Sequence, residues 1–213
     1  MYSWIDYTWN VIKGACSHDC SYCYMKRWGK LKPARFDAKE LNTDLGKGNM
    51  IFVGSSNDMF AKDIPMDWIF AVLEHCEKFK DNKYVFQTKN PARVMGYFLP
   101  KNSTVGTTIE TNRHSVLTKI SKAPSPQERA CGLSWMRDKT FVTIEPILDF
   151  DLKEMLFLIG MAHPDFVNLG ADSKNRGLKE PSAEKIHALI DEIIKMGIPI
   201  RQKKNLKRLL MEA

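Results

Sequence analysis

Short apolar runs followed by helix-like segments recur along this chain of 213 residues, and this alternation limits its fold more than any other feature. The runs are rich in β-branched and aromatic residues, whereas the segments between them place apolar residues at helical spacing. Strands are predicted at residues 8–13, 50–54, 83–88, 103–109, 140–146, 165–170 and 198–201. Their separation of about 20–35 residues is typical of βαβ units, which predicts a parallel sheet with right-handed crossovers.

The segments between the strands predict the helices. Residues 65–80 show the helical pattern most clearly, with Ile69, Val72, Leu73 and Cys76 on one face. Further helices are predicted from residue 91, over residues 112–137 with a break, and at residues 152–161, 182–197 and 202–213, the last one basic. We find no internal repeat or Gly/Ser linker. The sequence therefore predicts one α/β domain over residues 1–213, with its core at about 7–200 and a minimal C-terminal extension.

Polar residues cluster directly after the predicted strands. In a parallel sheet the carboxyl ends of the strands lie at one edge, and ligand sites form there. If the sheet curves into a partial (β/α)6 barrel of the TIM type, these residues converge on one mouth, which favours an enzyme. They are the cysteines near the N-terminus, Ser55, Ser56, Asn57, Asp58, Lys89, Asn90, Glu110, Asn112, Glu145, Asp172 and Ser173.

The chain is basic, with 32 Lys and Arg residues against 25 Asp and Glu residues and a net charge of +7. This balance favours anionic partners such as nucleic acid, although a solvated basic surface has the same composition. Both ends of the chain are basic. The N-terminal end also carries Trp4, Trp9 and Trp28, which suits either base stacking or core packing.

Neither a membrane span nor a secretion signal is predicted. No apolar run approaches the length that a bilayer requires. The first six residues lack the basic and apolar regions of a signal peptide. We therefore expect a cytoplasmic protein, in which bunched cysteines indicate metal binding rather than disulfides.

Three of the five cysteines lie within eight residues, in Cys16-Ser-His-Asp-Cys20-Ser-Tyr-Cys23. A structural zinc site takes four ligands, usually as two separated pairs, and His18 could complete such a site in principle. Three thiolates can instead hold three irons of a four-iron cluster and leave the fourth iron to a ligand that is not protein. The remaining cysteines, Cys76 and Cys131, are typical of small buried apolar residues.

The spacing Cys-x3-Cys-x-aromatic-Cys, with Tyr22 in the aromatic position, resembles the signature of the radical SAM superfamily. The resemblance implies that Cys16, Cys20 and Cys23 hold a [4Fe-4S] cluster whose free iron binds the amino and carboxylate groups of S-adenosylmethionine. It also implies a one-electron donor such as flavodoxin or ferredoxin. Reductive cleavage of the cofactor would then give a 5′-deoxyadenosyl radical, which abstracts a hydrogen atom from the substrate.

Further cofactor contacts follow from the same resemblance. Gly54, Ser55, Ser56 and Asp58 stand where the superfamily's Gly-Gly-Glu motif binds the methionine amine, although this sequence has serines and an aspartate there. Hydroxyl and carboxylate groups can bind an ammonium ion. A polar turn that caps the next helix would have the same composition.

The remaining roles that the resemblance implies fall after later strands. Lys89 would face the cofactor carboxylate, and Glu145 would contact the ribose or the substrate, so these two are the expected catalytic residues. Each residue also has a purely structural explanation. Lys89 and Glu110 could stand at exposed strand ends, and Glu145 could form a salt bridge within the barrel. Thr107, Thr108 or Glu110 would contact the ribose, and the backbone at Leu169 and Ala171 would lie against the adenine.

Residues 7–10, 53–60, 87–91 and 144–148 resemble segments of a phage-associated branch of the superfamily with no assigned activity. The protein would then work in the host cytoplasm. A small barrel with an open mouth suits a large substrate that covers the site, and the basic ends favour a modified DNA base or nucleotide that is altered, rearranged or repaired. A base within a duplex would have to be flipped out. The expected substrate contacts are Lys26, Arg27, Trp28, Lys203, Lys204, Lys207 and Arg208.

Two alternatives stay open at this stage. The same chemistry could tailor a small amino acid, a peptide or a free nucleotide. A non-catalytic metal-binding module for nucleic acid would also combine clustered cysteines with a basic surface.

Overall fold

A computed structural model describes residues 2–173 and 177–211 of the chain. Its strands are β1 (Tyr7–Trp9), β2 (Ile12–Lys13), β3 (Arg35–Phe36), β4 (Met50–Val53), β5 (Lys83–Gln87), β6 (Ser103–Thr108), β7 (Lys139–Ile144), β8 (Phe166–Leu169) and β9 (Ile200–Gln202). A seven-stranded sheet has the order β1-β4-β5-β6-β7-β8-β9, and every neighbouring pair in it is parallel.

The strand order of this sheet follows the chain order from one edge to the other. A doubly wound sheet would reverse direction in the middle, whereas successive right-handed crossovers without a reversal place the helices on one face. The other face must then be buried inside a curved sheet. This arrangement confirms the predicted α/β fold with a partial, TIM-like barrel.

The helices lie between the strands, largely where the periodicity predicts them. They are α1 (Met66–Lys78), α2 (Pro91–Val94), α3 (His114–Leu117), α4 (Pro126–Ser134), α5 (Leu152–Ala162), α6 (Ala183–Lys195) and α7 (Lys207–Leu210), with 3-10 turns at Tyr24–Trp28, Ala38–Asn42 and Lys204–Leu206. No helix in residues 2–173 and 177–211 is long and apolar enough to cross a membrane.

Two predicted elements are wrong in extent. The strand predicted at residues 8–13 is two strands, because β2 leaves the sheet and pairs antiparallel with β3. The basic helix predicted at residues 202–213 begins later, because residues 200–202 pair with β8 as β9. Residues 212 and 213 of that prediction lie outside the described residues.

The concave face of the sheet encloses a cluster of aromatic residues that the N-terminal segment completes. Tyr2 packs among Val85, Phe141 and Phe166, and Trp4 lies against the same group. The rings of Tyr2 and Trp4 are stacked with centroids 5.3 Å apart. The N-terminal segment therefore fills the interior of the barrel at the end where the strands begin.

Gly106 makes room for this cluster. A Cβ atom at Gly106 would overlap the ring of Phe141 on the neighbouring strand. The absence of a side chain in β6 therefore allows an aromatic residue in β7, an example of the close approach that only glycine permits.

Candidate active site

A cavity of about 870 Å³ opens where the strands end, a volume within the usual range of about 300–1,000 Å³ for ligand sites. Most of the predicted site residues line it, namely Cys16, Cys20, Tyr22, Cys23, Lys26, Arg27, Gly54, Ser55, Ser56, Asp58, Lys89, Thr108, Glu145, Ala171 and Lys203. The predicted cofactor and substrate contacts that do not line it are Trp28, Thr107, Glu110, Leu169, Lys204, Lys207 and Arg208. The sheet therefore brings together residues from seven separate segments of the chain.

The cysteine loop is held in place by the connection between α3 and α4. The amide of Ser21 donates to the carbonyl of Ile120 at 2.7 Å, and the amide of Lys122 donates to the carbonyl of His18 at 2.7 Å. The Sγ atom of Cys20 lies 3.2 Å from the hydroxyl of Ser121. These contacts fix the loop over the carboxyl ends of the strands.

None of the three cysteines of this loop forms a disulfide bond. Burial, followed by the charge of Asp58, raises the pKa of the Cys16 thiol to about 11. Among residues 2–173 and 177–211, no group of three or more His, Cys, Asp or Glu side chains is placed to hold a single metal ion. Three soft sulfur donors that line one cavity have the chemistry of ligands to an iron–sulfur cluster.

Asp58 fastens the cysteine loop to two strand ends. Its Oδ2 atom accepts from His18 Nε2 at 2.8 Å, from the Thr88 hydroxyl at 3.0 Å and from the Lys89 amide at 2.7 Å. Its Oδ1 atom accepts from the amide of Phe60 at 3.0 Å. Burial alone would raise the pKa of Asp58, but the hydrogen bond and charge of His18 outweigh it and lower the pKa. Both carboxylate oxygens are thus engaged within the protein.

The turn after β4 presents one hydroxyl without a partner. Asn10 organises this turn, because its Oδ1 atom accepts from the amide of Ser56 at 2.8 Å and from the hydroxyl of Ser55 at 3.2 Å. The Tyr24 hydroxyl donates to the carbonyl of Ser55 at 2.8 Å. Ser56 Oγ is buried and makes no hydrogen bond with a described residue. A ligand bound in the cavity could satisfy this hydroxyl.

A buried ion pair lies behind the cysteine loop. Arg129 Nη1 donates to Glu110 Oε2 at 2.7 Å, with both side chains almost completely buried. The Tyr22 hydroxyl donates to the other oxygen of Glu110. Lys89 Nζ lies 3.9 Å from Glu110 Oε1 and 5.5 Å from the centroid of the Tyr22 ring. Glu110 therefore holds Tyr22 and Lys89 in position from outside the cavity.

The negative charge of Glu110 lies close to two positive charges, those of Arg129 and Lys89. Burial alone would raise the pKa of Glu110, but the positive charges of Arg129 and Lys89 outweigh burial and lower it. Burial alone would lower the pKa of Lys89, but the charges of Cys20 and Glu110 raise it. Lys89 is therefore protonated and supplies a positive charge at the cavity wall.

The opposite wall carries Glu145, which follows β7 and is held by the C-terminal segment. Lys203 Nζ donates to Glu145 Oε2 at 2.6 Å, and Asn205 Nδ2 donates to Oε1 at 3.2 Å. The Ser173 hydroxyl lies 3.4 Å from Oε1. The basic residue Lys203, predicted to bind substrate, thus forms an ion pair within the cavity wall.

The rim of the cavity is an exposed aromatic and cationic surface. The guanidinium of Arg27 lies 4.5 Å from the centroid of the Trp28 ring and 5.9 Å from that of Tyr24. Trp28 is 70% exposed. Lys26 Nζ pairs with Asp19 at 2.8 Å. Exposed rings stacked with arginine can receive a planar group such as a nucleobase.

Sequence reasoning missed four residues of this site. Arg129 reads as a solvent-facing helix residue, although it lies four residues before the buried Leu133 and hence on the same helix face. Tyr2, Gln87 and Thr143 line the cavity floor. Gln87 and Thr143 stand two residues beyond the inward-facing Val85 and Phe141, and this alternation could have identified them.

Fold and site together define an α/β barrel domain with a cysteine loop at its mouth. The chain belongs to the DUF5131 family, described as a protein of unknown function, whose model matches residues 1–180. No curated protein matches the chain.

Solved structures of similar fold include two proteins. A cysteine-to-serine mutant of spore photoproduct lyase is 12% identical, with a TM-score of 0.67 over 95% of this chain and 78% of that chain. A spore photoproduct lyase mutant with bound AdoMet and dinucleoside spore photoproduct is 13% identical, with a TM-score of 0.58 over 88% and 61%. SuiB of Streptococcus suis, bound to the precursor peptide SuiA, is 12% identical, with a TM-score of 0.66 over 95% and 50%. At these identities the likeness establishes the fold.

Proposed function

We propose that this chain is a radical SAM enzyme that acts on a nucleic-acid base or a nucleotide. The observation that carries the proposal is one cavity lined by three cysteines of the superfamily spacing, by Lys89 and by the buried Ser56 hydroxyl, which makes no hydrogen bond with a described residue. A soft donor set beside groups that bind an amino acid suits a cluster and S-adenosylmethionine. Similar folds with bound S-adenosylmethionine support this cofactor.

In this proposal Cys16, Cys20 and Cys23 hold a [4Fe-4S] cluster. Bound together, the cluster and S-adenosylmethionine would supply a 5′-deoxyadenosyl radical for hydrogen abstraction. Ser56 and Lys89 bind the amino and carboxylate groups of the cofactor methionine.

Other predicted cofactor residues take revised roles in this proposal. Asp58 and Glu110 are positioning residues, because their carboxylates are occupied by His18 and Arg129 respectively. Leu169 is fully buried behind the wall, so its contribution is to packing. The cavity-lining residues Gly54, Ser55 and Ala171 keep their proposed places around the ribose, the adenine and the methionine backbone. Thr108 instead lies at the cavity floor, where its hydroxyl accepts from Gln87.

A nucleic-acid substrate is supported by the rim and the charge of the chain. Arg27 and Trp28 offer a stacking surface, and the chain carries a net charge of +7. The dinucleoside bound by one protein of similar fold also favours this class. The reaction would be modification, rearrangement or repair of the base, and association with a bacteriophage and with the host cytoplasm stays a prediction.

Anaerobic reconstitution tests the enzyme class. With iron and sulfide the chain should bind about four irons, and with a reductant and S-adenosylmethionine it should release 5′-deoxyadenosine. Cys20→Ser should abolish both results, whereas Cys131→Ser, at an exposed thiol outside the cavity, should change neither. One zinc per chain without 5′-deoxyadenosine would contradict the proposal and favour a metal-binding module.

The substrate class is tested by stimulation of this release. Single-stranded DNA should increase 5′-deoxyadenosine formation more than mixed peptides do, because the rim favours stacked bases. Affinity for DNA should fall as salt rises, since phosphate contacts release counterions. Stimulation by peptides alone would favour tailoring of a peptide, the activity class suggested by the peptide complex of SuiB.

A further inference from the structure

The floor of the cavity is built from neutral hydrogen-bonding side chains. Tyr2, Gln87, Thr108 and Thr143 come from the N-terminal segment and from β5, β6 and β7, and all of them line the cavity. Tyr2 and the two threonines are nearly buried. Below them the barrel is filled by the aromatic cluster. A ligand that enters the barrel therefore meets this floor at its deepest point.

Three hydrogen bonds join the floor residues into a chain with a defined direction, and Asn168 donates a fourth bond to this chain. The Tyr2 hydroxyl donates its single proton to Gln87 Oε1 at 2.8 Å, so the 2.6 Å contact between Tyr2 and Thr143 must be donated by Thr143. Gln87 Nε2 donates to Thr108 Oγ1 at 3.0 Å. Asn168 Nδ2 donates to Thr143 Oγ1 at 3.4 Å.

The direction of these hydrogen bonds determines which donors and acceptors of the floor remain available to a ligand. The Thr108 hydroxyl accepts from Gln87, so its own proton is available to a ligand. The second proton of Gln87 Nε2 has no acceptor among the described residues. The adjacent oxygens of Tyr2 and Thr143 keep lone pairs for one donor. The floor thus offers two donors and, at Tyr2, Thr143 and Gln87 Oε1, at least one acceptor. Burial raises the pKa of Tyr2 further above its usual value, so this hydroxyl is neutral and the floor carries no charge.

We propose that this floor binds the edge of a pyrimidine base. Thymine and cytosine each present one donor and two acceptors along the Watson–Crick edge, the complement of two donors and one acceptor. Guanine presents two donors but only one acceptor there, so one of the two floor donors would be left unpaired. Adenine presents one of each and would leave a buried donor unpaired, at a cost of about 1–3 kcal/mol. This inference rests on the proposed nucleic-acid substrate and narrows it to the pyrimidines.

Equilibrium dialysis of nucleosides against the anaerobically reconstituted protein tests the floor without turnover. Thymidine, deoxycytidine or both should bind about tenfold or more tightly than deoxyguanosine and deoxyadenosine. Equal binding of purines, or no binding of either pyrimidine at about 1 mM, would overturn the inference.

Two neighbouring threonines provide a matched pair of variants. Thr108→Val removes the free donor of the floor and should weaken pyrimidine binding by about tenfold. Thr107→Val removes a hydroxyl from the other face of the same strand, where it donates to the carbonyl of Thr88 at 2.8 Å, and should leave the affinity unchanged. Equal losses in the two variants would overturn the inference.

Tyr2→Phe provides a second test that preserves the ring in the aromatic cluster. It removes the phenol oxygen, leaves Gln87 Oε1 without its donor and frees the proton of Thr143. The hydrogen-bonding pattern of the floor is thereby changed, so the variant should reduce the preference for pyrimidines over purines. Unchanged preference in this folded variant would count against the floor. If the protein released 5′-deoxyadenosine but did not prefer pyrimidines, only this inference would be wrong. If it preferred pyrimidines but released no 5′-deoxyadenosine, the proposed enzyme class would be wrong and the inference about the floor would stand.

Discussion

The two ends of the barrel are held together by different forces. Where the strands begin, aromatic rings pack against one another, as in the stacked pair Phe141 and Phe166 with centroids 5.2 Å apart. Where the strands end, charged and polar side chains join the loops, as in Glu110 with Arg129 and Asp58 with His18. Shape therefore fixes the closed end, and charge fixes the mouth where the proposed chemistry takes place.

This contrast has a direct consequence for stability. Apolar packing is insensitive to protonation, whereas ion pairs depend on it and cost most when one partner is lost from a buried site. Substitutions at the mouth should therefore respond to pH and to charge. Substitutions at the closed end should respond to volume.

The largest effect is expected from Arg129→Met. This change leaves Glu110 charged and buried without its partner, which should lower the free energy of unfolding by about 3–5 kcal/mol. Urea unfolding at neutral pH measures it. Lys195→Met, which breaks an exposed pair with Glu192 on α6, should leave the free energy of unfolding nearly unchanged, because solvent screens exposed pairs. Equal stability of the two variants would show that charge does not fix the mouth.

Gly106→Ala tests the closed end. The added methyl group would overlap the ring of Phe141, and overpacking of this kind costs about 1–3 kcal/mol. Gly160→Ala is the matched control, because its new Cβ would meet only the end of Met196 at 3.5 Å within α5. This control should leave stability unchanged or raise it by up to about 1 kcal/mol. If Gly106→Ala left the free energy of unfolding unchanged, close packing of side chains would not determine stability at the closed end.

Asp149→Asn tests the pH dependence of the mouth. Burial alone would raise the pKa of Asp149, but its bonds to Lys185 and Arg113 outweigh burial and lower it. Because the folded pKa lies below the unfolded value of about 3.9, this carboxylate stabilises the fold above about pH 4, and the contribution is lost as pH falls through the folded pKa. The variant should be about 1 kcal/mol less stable at pH 7.

Urea unfolding as a function of pH measures this difference. The curves of wild type and Asp149→Asn should converge as the pH falls below about 4. Phe166→Leu, at the closed end, should lose stability by an amount that stays constant over the same interval. A constant difference for Asp149→Asn as well would remove the distinction between the two ends.

The smallest effect on stability is expected from Trp28→Ala at the rim. The ring is 70% exposed, so stability should change by no more than about 0.5 kcal/mol. Affinity for single-stranded DNA should nevertheless fall by about tenfold, because a stacked base contributes about 1–3 kcal/mol. Trp135→Ala, which removes a ring of 65% exposure at the end of α4 and outside the cavity, should change neither quantity.

The order of strands and helices was accessible from the sequence because the alternation that encodes it is local. The strand predicted at residues 103–109 is β6 almost to the residue. The division of residues 8–13 into β1 and β2 was not accessible, since it depends on pairing of Ile12 with the distant Phe36. The strand predicted at residues 198–201 is present as β9, but it extends one residue into the predicted helix because Gln202 pairs with the distant Leu169.

The candidate site likewise contains residues that local sequence patterns predict and residues that depend on distant contacts. The cysteines were predicted from their spacing, and the residues after the strands from the geometry of parallel sheets. Arg129 and Tyr2 were not predicted, because an arginine in a helix and an aromatic residue near the N-terminus have no local signal for the partners that they reach across the fold. The roles of Asp58 and Glu110 depend on those same distant partners.

The connection between α3 and α4 gives the cysteine loop its support, and this has a consequence for protein engineering. Since Ile120 and Lys122 bind the loop through their backbones, a change of length in this connection would tilt all three thiols together, even though no side chain of the motif had been altered. Natural variants and chimaeras should therefore tolerate substitutions in this connection far better than insertions or deletions.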